Sequence, residues 1–175
     1  MPHHVYLSPG MFGFGRLASY DYFTHVERAL TARIRARGEE VIMHVAHVSP
    51  TASIRRRAMT LATLVASTCH PGDPDAGPIH LVGHSTGGLD ARLVASPSAC
   101  LPLAPEALAW RDRLVSVTTI NTPHYGTPLA SFFTTASGQR ALGLLSALTV
   151  IALSFGSPPL AVARAIVAAF VGVDR

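Results

Sequence analysis

The run Gly83-His84-Ser85-Thr86-Gly87-Gly88 constrains this chain more than any other. It lies between the apolar stretch Ile79-His80-Leu81-Val82 and the helix-forming stretch Leu89-Asp90-Ala91-Arg92-Leu93-Val94. The pattern is G-x-S-x-G at a strand-to-helix turn. A strand and a helix joined that sharply come so close that the residues flanking the serine must lack side chains. The serine itself must hold strained backbone angles. Such a turn lifts the hydroxyl above the sheet, points the following amides into the same space, and sets a helix dipole's positive end beneath it. Ser85 is therefore the candidate nucleophile, with Gly83 and Gly87 as the glycines of the turn. An ordinary glycine-rich turn is the plainer alternative. A phosphate loop would want a lysine or another glycine spacing, and the chain contains no lysine.

The rest of the chain alternates short apolar runs with helical stretches, the pattern of a parallel sheet covered by helices. Strands are expected near His4 to Ser8, Glu40 to Val48, Ile79 to Val82 and Leu114 to Asn121. A helix is expected from about Ser19 to Arg37, with Phe23, Val26, Leu30 and Ile34 at helical spacing and Gly38 as its stop. Ser53 caps a second helix whose inner stripe is Ile54, Ala58, Leu61 and Val65. The segment from Pro71 to Pro78 reads as an exposed loop. The expected fold class is α/β, a mostly parallel sheet with helices on both faces.

With 49% hydrophobic and only 14% charged residues, the 175-residue chain is no disordered segment. Its formal charge of +4 comes from arginine. The clusters Arg33, Arg35, Arg37 and Arg55, Arg56, Arg57 fall on expected amphipathic helices, so a solvated outer face accounts for them. No nucleic-acid partner is expected, because a basic balance alone is weak evidence. Cys69 and Cys100 are too few for a disulfide framework, and their spacing leaves pairing open. The chain passes from Met1 almost directly into its first strand with no secretory signal. That suits a cytoplasmic or peripheral-membrane location, or a chain already stripped of its leader. His44 and His47, three apart on a strand, face opposite sides, as do His3 and His4; no metal and no cofactor are expected.

Three segments together resemble the bacterial triacylglycerol lipases and esterases of the α/β-hydrolase superfamily. They are Pro9-Gly10-Met11-Phe12-Gly13, Gly83-His84-Ser85-Thr86-Gly87-Gly88 and Asn121-Thr122-Pro123-His124-Tyr125-Gly126-Thr127, spread over about residues 4 to 130. The resemblance implies that Ser85 attacks an ester carbonyl, and that the backbone amides of Met11 and Thr86 form the oxyanion hole. One such donor is typically worth about 2.7–4 kcal/mol in the transition state. Many such lipases carry histidine before the glycine of the first turn, where this chain has Pro9. The hole can survive that change, because its donor is a backbone amide, and the hydrogen bonding that would hold the loop still is left open.

A serine hydroxyl needs a histidine to take its proton and a carboxylate to orient the histidine. After Ser85 the chain offers only Asp90, Glu106, Asp112, Asp174 and His124. Asp112 and His124 have the superfamily's order but bracket one strand, which separates them by ~26 Å at 3.3 Å per residue. His84 is expected to point away from the serine; His124 is expected to fix the turn before Gly126, with a polar active-site contact as the alternative. The chain thus reads as the N-terminal part of such a hydrolase, truncated after the strand that follows the serine turn. Little turnover is expected of it alone, and a complementing C-terminal half is a conceivable partner. The rivals are an acyltransferase or thioesterase on the same scaffold, or a non-catalytic membrane-associated or partner-binding remnant.

The expected organisation is a hydrolase part over 1–130 and apolar helices over 131–175. From Ala141 to Ala163 no charged residue occurs, a length that approaches a bilayer span. Gly143, Gly156 and Pro158-Pro159 interrupt it. A lid over an acyl-binding cleft, plain core, and a peripheral membrane contact all remain open; the lid would favour a lipid ester as substrate.

Overall fold

A computed structural model describes residues 1–11, 23–49, 52–69, 76–140 and 143. The apolar stretch from Ala141 to Ala163, and with it the lid, core and membrane-contact readings, lies outside these residues apart from Gly143. Among the described residues no helix is long and apolar enough to cross a membrane.

Four strands form one sheet: β1 (His3–Ser8), β2 (Val41–Val45), β3 (Ile79–His84) and β4 (Leu114–Ile120), in the order β2-β1-β3-β4. Every pairing is parallel. The crossovers carry α1 (Thr24–Arg35), α2 (Ile54–Thr68), α3 (Thr86–Ala95) and a 3₁₀ segment (Pro105–Arg113). The expected α/β class, a parallel sheet with helices on both faces, is what the chain forms. On one face Val5, Leu7 and Val41 pack with Phe23, Val26, Leu30 and Ile34 of the α1 region. On the other, Tyr6, Ile79 and Leu81 pack against α2 and α3 through Ala58, Leu61, Val65, Ala91 and Val94. Trp110 of the 3₁₀ segment seals that second layer, 2% exposed. Tyr125 and the helix α4 (Pro128–Phe133) belong to a second compact unit, apart from the sheet and its helices through His124.

The local signals explain the boundaries. Ser53 accepts a hydrogen bond from the Arg56 amide at 3.3 Å, capping α2. Gly38, at φ +80°, takes its N–H back to the Arg35 carbonyl and stops the chain after α1. α1 is shorter than the expected span from Ser19 to Arg37, and part of that span lies outside the described residues. β2 ends at Val45 rather than Val48. Ala46 and Val48, past its end, are buried in the α2 layer instead. Cys69 is buried, Cys100 exposed, and both are free thiols.

The sheet also pairs histidines that are distant in sequence. On one face His3 Nδ1 meets His80 Nε2 at 2.9 Å, and His80 Nδ1 meets the Ser116 hydroxyl at 2.8 Å. His3 Nε2 lies 3.4 Å from Glu39. On the other face His4 Nδ1 meets His44 Nε2 at 3.2 Å, with the Tyr6 ring stacked on His44. Each N–H···N contact holds one proton between two nitrogens, so protonating the accepting nitrogen breaks the bond, and charging both rings would set like charges side by side. Burial holds His44 and His80 below the usual imidazole value, and the neighbours His4 and His3 add to the effect. Glu39 opposes it at His80.

The folded chain therefore prefers both imidazoles neutral, and unfolding below the ordinary value of 6.5 takes up protons. Their contribution to stability is complete above that pH and is lost as pH falls through the lowered folded values. The urea midpoint is expected to stay level from about pH 8 to 7 and to fall below about 6.5. A His44→Gln/His80→Gln variant should lose much of that slope. An unchanged slope would show that these pairs do not set the acid response.

Candidate active site

β3 ends at His84 and α3 begins at Thr86, so one residue makes the whole turn. That residue is Ser85, at φ +54° and ψ −126°. Such a backbone costs a residue with a side chain about 1–3 kcal/mol and persists only where its surroundings enforce it. Here they do. The Ser85 amide donates to the Ile120 carbonyl at 2.8 Å, and the Ser85 carbonyl accepts from the Gly88 amide at 3.1 Å.

The glycines work as the turn requires. A Cβ on Gly83 would overlap the backbone of Gly87 and Gly88, and one on Gly87 would overlap the Ser8 carbonyl. The same Gly87 position lies 2.7 Å from the Pro9 carbonyl oxygen. α3 is thus pressed against the chain leaving β1. A Cβ on Gly10 would stand 2.7 Å from Ser85 Cβ and 3.2 Å from Ser85 Oγ, so this loop passes directly beside the serine side chain. Met11 follows and is half-buried. Thr86 opens α3, where the first amides have no partner within the helix. Neither the Met11 nor the Thr86 amide is engaged in the backbone hydrogen bonds of the described turns and loops.

Beneath this pair of segments lies a charged cluster sealed from solvent. Arg57 is 1% exposed and Asp90 is fully buried. The guanidinium straddles the carboxylate: Nη2 reaches Oδ2 at 2.7 Å, and Nε reaches Oδ1 and Oδ2 at 3.2 and 3.1 Å. Nη2 also donates to the Pro9 carbonyl, and Nη1 donates to the Ser49 carbonyl at 3.4 Å. The Ser8 hydroxyl donates to Asp90 Oδ2 at 3.0 Å. Burial pushes the Asp90 carboxyl up, while Arg57 and Ser8 pull it back toward ionisation. Arg57 was expected on a solvated helix face with Arg55 and Arg56, and the structure corrects this. It lies three residues after Ile54 and four before Leu61, which turns it onto the inner stripe of α2. Arg55 and Arg56 do face solvent.

The remaining candidates fall elsewhere. Asp112 and His124 lie beyond opposite ends of β4. His124 contacts the Thr119 hydroxyl through Nε2 at 3.0 Å and Arg92 through Nδ1 at 3.4 Å. His84 is half-buried at the end of β3. Among the described residues, no histidine is hydrogen-bonded to the Ser85 hydroxyl. No group of three or more His, Cys, Asp or Glu side chains among them is arranged to hold a metal ion.

The chain is similar to triacylglycerol lipases. One, from Vibrio cholerae serotype O1, is 33% identical over 153 residues, covering 84% of this chain and 43% of the relative. Another, from Pseudomonas fragi, is 30% identical over 126 residues, covering 72% of this chain and 36% of the relative. The chain therefore spans about two-fifths of the length of these lipases. No family model matches it.

Proposed function

We propose that this chain carries the nucleophile part of a serine hydrolase that cleaves carboxylic esters of the lipid type through an acyl-enzyme on Ser85. The observation that carries the reading is a serine at positive φ between β3 and α3, with Gly10 packed against its side chain. The lipase relatives support an ester as the substrate class.

In this reading Ser85 Oγ attacks the ester carbonyl carbon, and the developing oxyanion is received by the Met11 and Thr86 amides. The C–O bond to the alcohol then breaks, leaving the acyl group on Ser85, and water later releases the acid. Each amide is worth about 2.7–4 kcal/mol if it points at the oxyanion. The helix dipole of α3 adds to the same field. The attack also requires removal of the serine proton. In this reading the base and its orienting carboxylate are supplied by the part of the hydrolase that this stretch does not span.

The test is a stopped-time assay with a p-nitrophenyl ester at mildly alkaline pH, where hydroxide takes the proton. The expected result is release of at most about one equivalent of p-nitrophenol, a matching acyl adduct, and little turnover afterwards. Ser85→Ala should remove the release. Sustained turnover by the chain alone would contradict the missing base, and no acyl adduct would favour a non-catalytic remnant.

A further inference from the structure

We infer that Arg57 and Asp90 are positioning residues that fix the loop after β1 against the serine turn, and so set the spacing of the two amides facing the oxyanion. The inference rests on the ester-hydrolase reading of Ser85, but its geometry stands independently. Asp90 lies on α3, five residues past Ser85 and within the helix whose first amide belongs to Thr86. Pro9 and Ser8 lie two and three residues before Met11. Arg57, from α2, bonds to both segments at once: Nη2 reaches the Asp90 carboxylate and the Pro9 carbonyl. Asp90 closes the link by accepting from Ser8 as well as from Arg57.

The peptide between Pro9 and Gly10 is planar, so holding its carbonyl oxygen also fixes the direction of the Gly10 amide and the path of the chain into Met11. Proline supplies no N–H with which to hold itself, so the hold must come through that carbonyl. This is the bonding that the Pro9 sequence leaves to be supplied from outside the loop. A guanidinium suits the task because its planar fork serves a carboxylate and a carbonyl together, which a lysine ammonium does not do in one fixed geometry. A merely structural pair would fill the core equally well if replaced by apolar side chains of similar size, as buried ion pairs often can be.

The experiment compares the full chain with Arg57→Lys and with the apolar double variant Arg57→Met/Asp90→Leu. Two readouts are taken: the phosphonylation of Ser85 by a fluorophosphonate, split into a binding constant and a maximal rate, and amide hydrogen exchange. In that reaction Ser85 Oγ displaces fluoride from phosphorus and its proton passes to solvent hydroxide. A misplacement of about 1 Å can cost about a hundredfold in rate. The maximal rate is accordingly expected to fall about tenfold to a hundredfold in both variants, with the binding constant little changed. Exchange at the Gly10 and Met11 amides should quicken while the amides of β1 (through Ser8) and of β3 stay protected. An apolar double variant with parent rate and parent exchange would overturn the inference. If the parent chain never reacts at Ser85, the hydrolase reading fails, and the exchange arm alone decides whether the loop is braced. Loss of β3 protection in the double variant shifts the decision to Arg57→Lys, where an unchanged loop exchange would overturn it.

Discussion

Gly87→Ala is expected to destabilise the chain by about 3 kcal/mol, the upper end of what overpacking a well-filled site costs. The reason is the kind of neighbour an added methyl would meet. It would strike the Ser8 carbonyl and stand 2.7 Å from the Pro9 carbonyl oxygen, both backbone atoms of a buried segment. Side chains can rotate away from an intruding methyl; buried backbone at the end of a central strand cannot. The alternative is for α3 to lift off β1, which would pull Asp90 from Ser8 and Arg57. Breaking a buried pair of this kind typically costs about 3–5 kcal/mol, so the helix has little freedom to yield. A urea titration of the variant against the parent measures the difference. A loss below about 1 kcal/mol, the centre of ordinary substitutions, would show that α3 does not press on the end of β1.

The second large effect concerns Ser85 and has opposite signs in stability and chemistry. At φ +54° and ψ −126° a side chain is strained by about 1–3 kcal/mol, and glycine is not. Glycine also gives the unfolded chain about 0.4–1 kcal/mol of extra entropy. Ser85→Gly is therefore expected to gain about 1 kcal/mol net, whereas Ser85→Ala keeps the Cβ and gains nothing. Both variants lose the proposed nucleophile and should form no acyl adduct. Thermal or urea unfolding of the three chains checks the stability order. Equal stability of the glycine and alanine variants would mean that Ser85 is not strained.

Much of this was legible in the sequence because its signals are local. The glycines at 83 and 87 announce a close approach of strand and helix, Ser53 announces a cap, and the alternation of apolar runs with helical stripes announces a parallel sheet. The brace was harder. Three consecutive arginines look like a solvated face, and only the spacing of Arg57 from Ile54 and Leu61 separates it from Arg55 and Arg56. Its partner gave less warning, since a lone aspartate in a helix after a serine turn has no pattern of its own. The histidine pairs are illegible for a different reason. His44 lies across from Tyr6 in the β1–β2 ladder, and His80 across from Val5 in the β1–β3 ladder. Register between strands some forty or more residues apart is a property of the assembled sheet. Facing rules along one strand separate His3 from His4 correctly, yet say nothing of what each meets next door.

The most direct measurement is the intact mass of the full chain after prolonged exposure to a fluorophosphonate, followed by peptide mapping. One adduct on Ser85 is predicted, slow to form on the proposal that the base lies outside this chain, and absent from Ser85→Gly. An unreacted chain, or an adduct shared among exposed serines such as Ser53 and Ser98, would contradict a hydroxyl selectively activated at the head of α3.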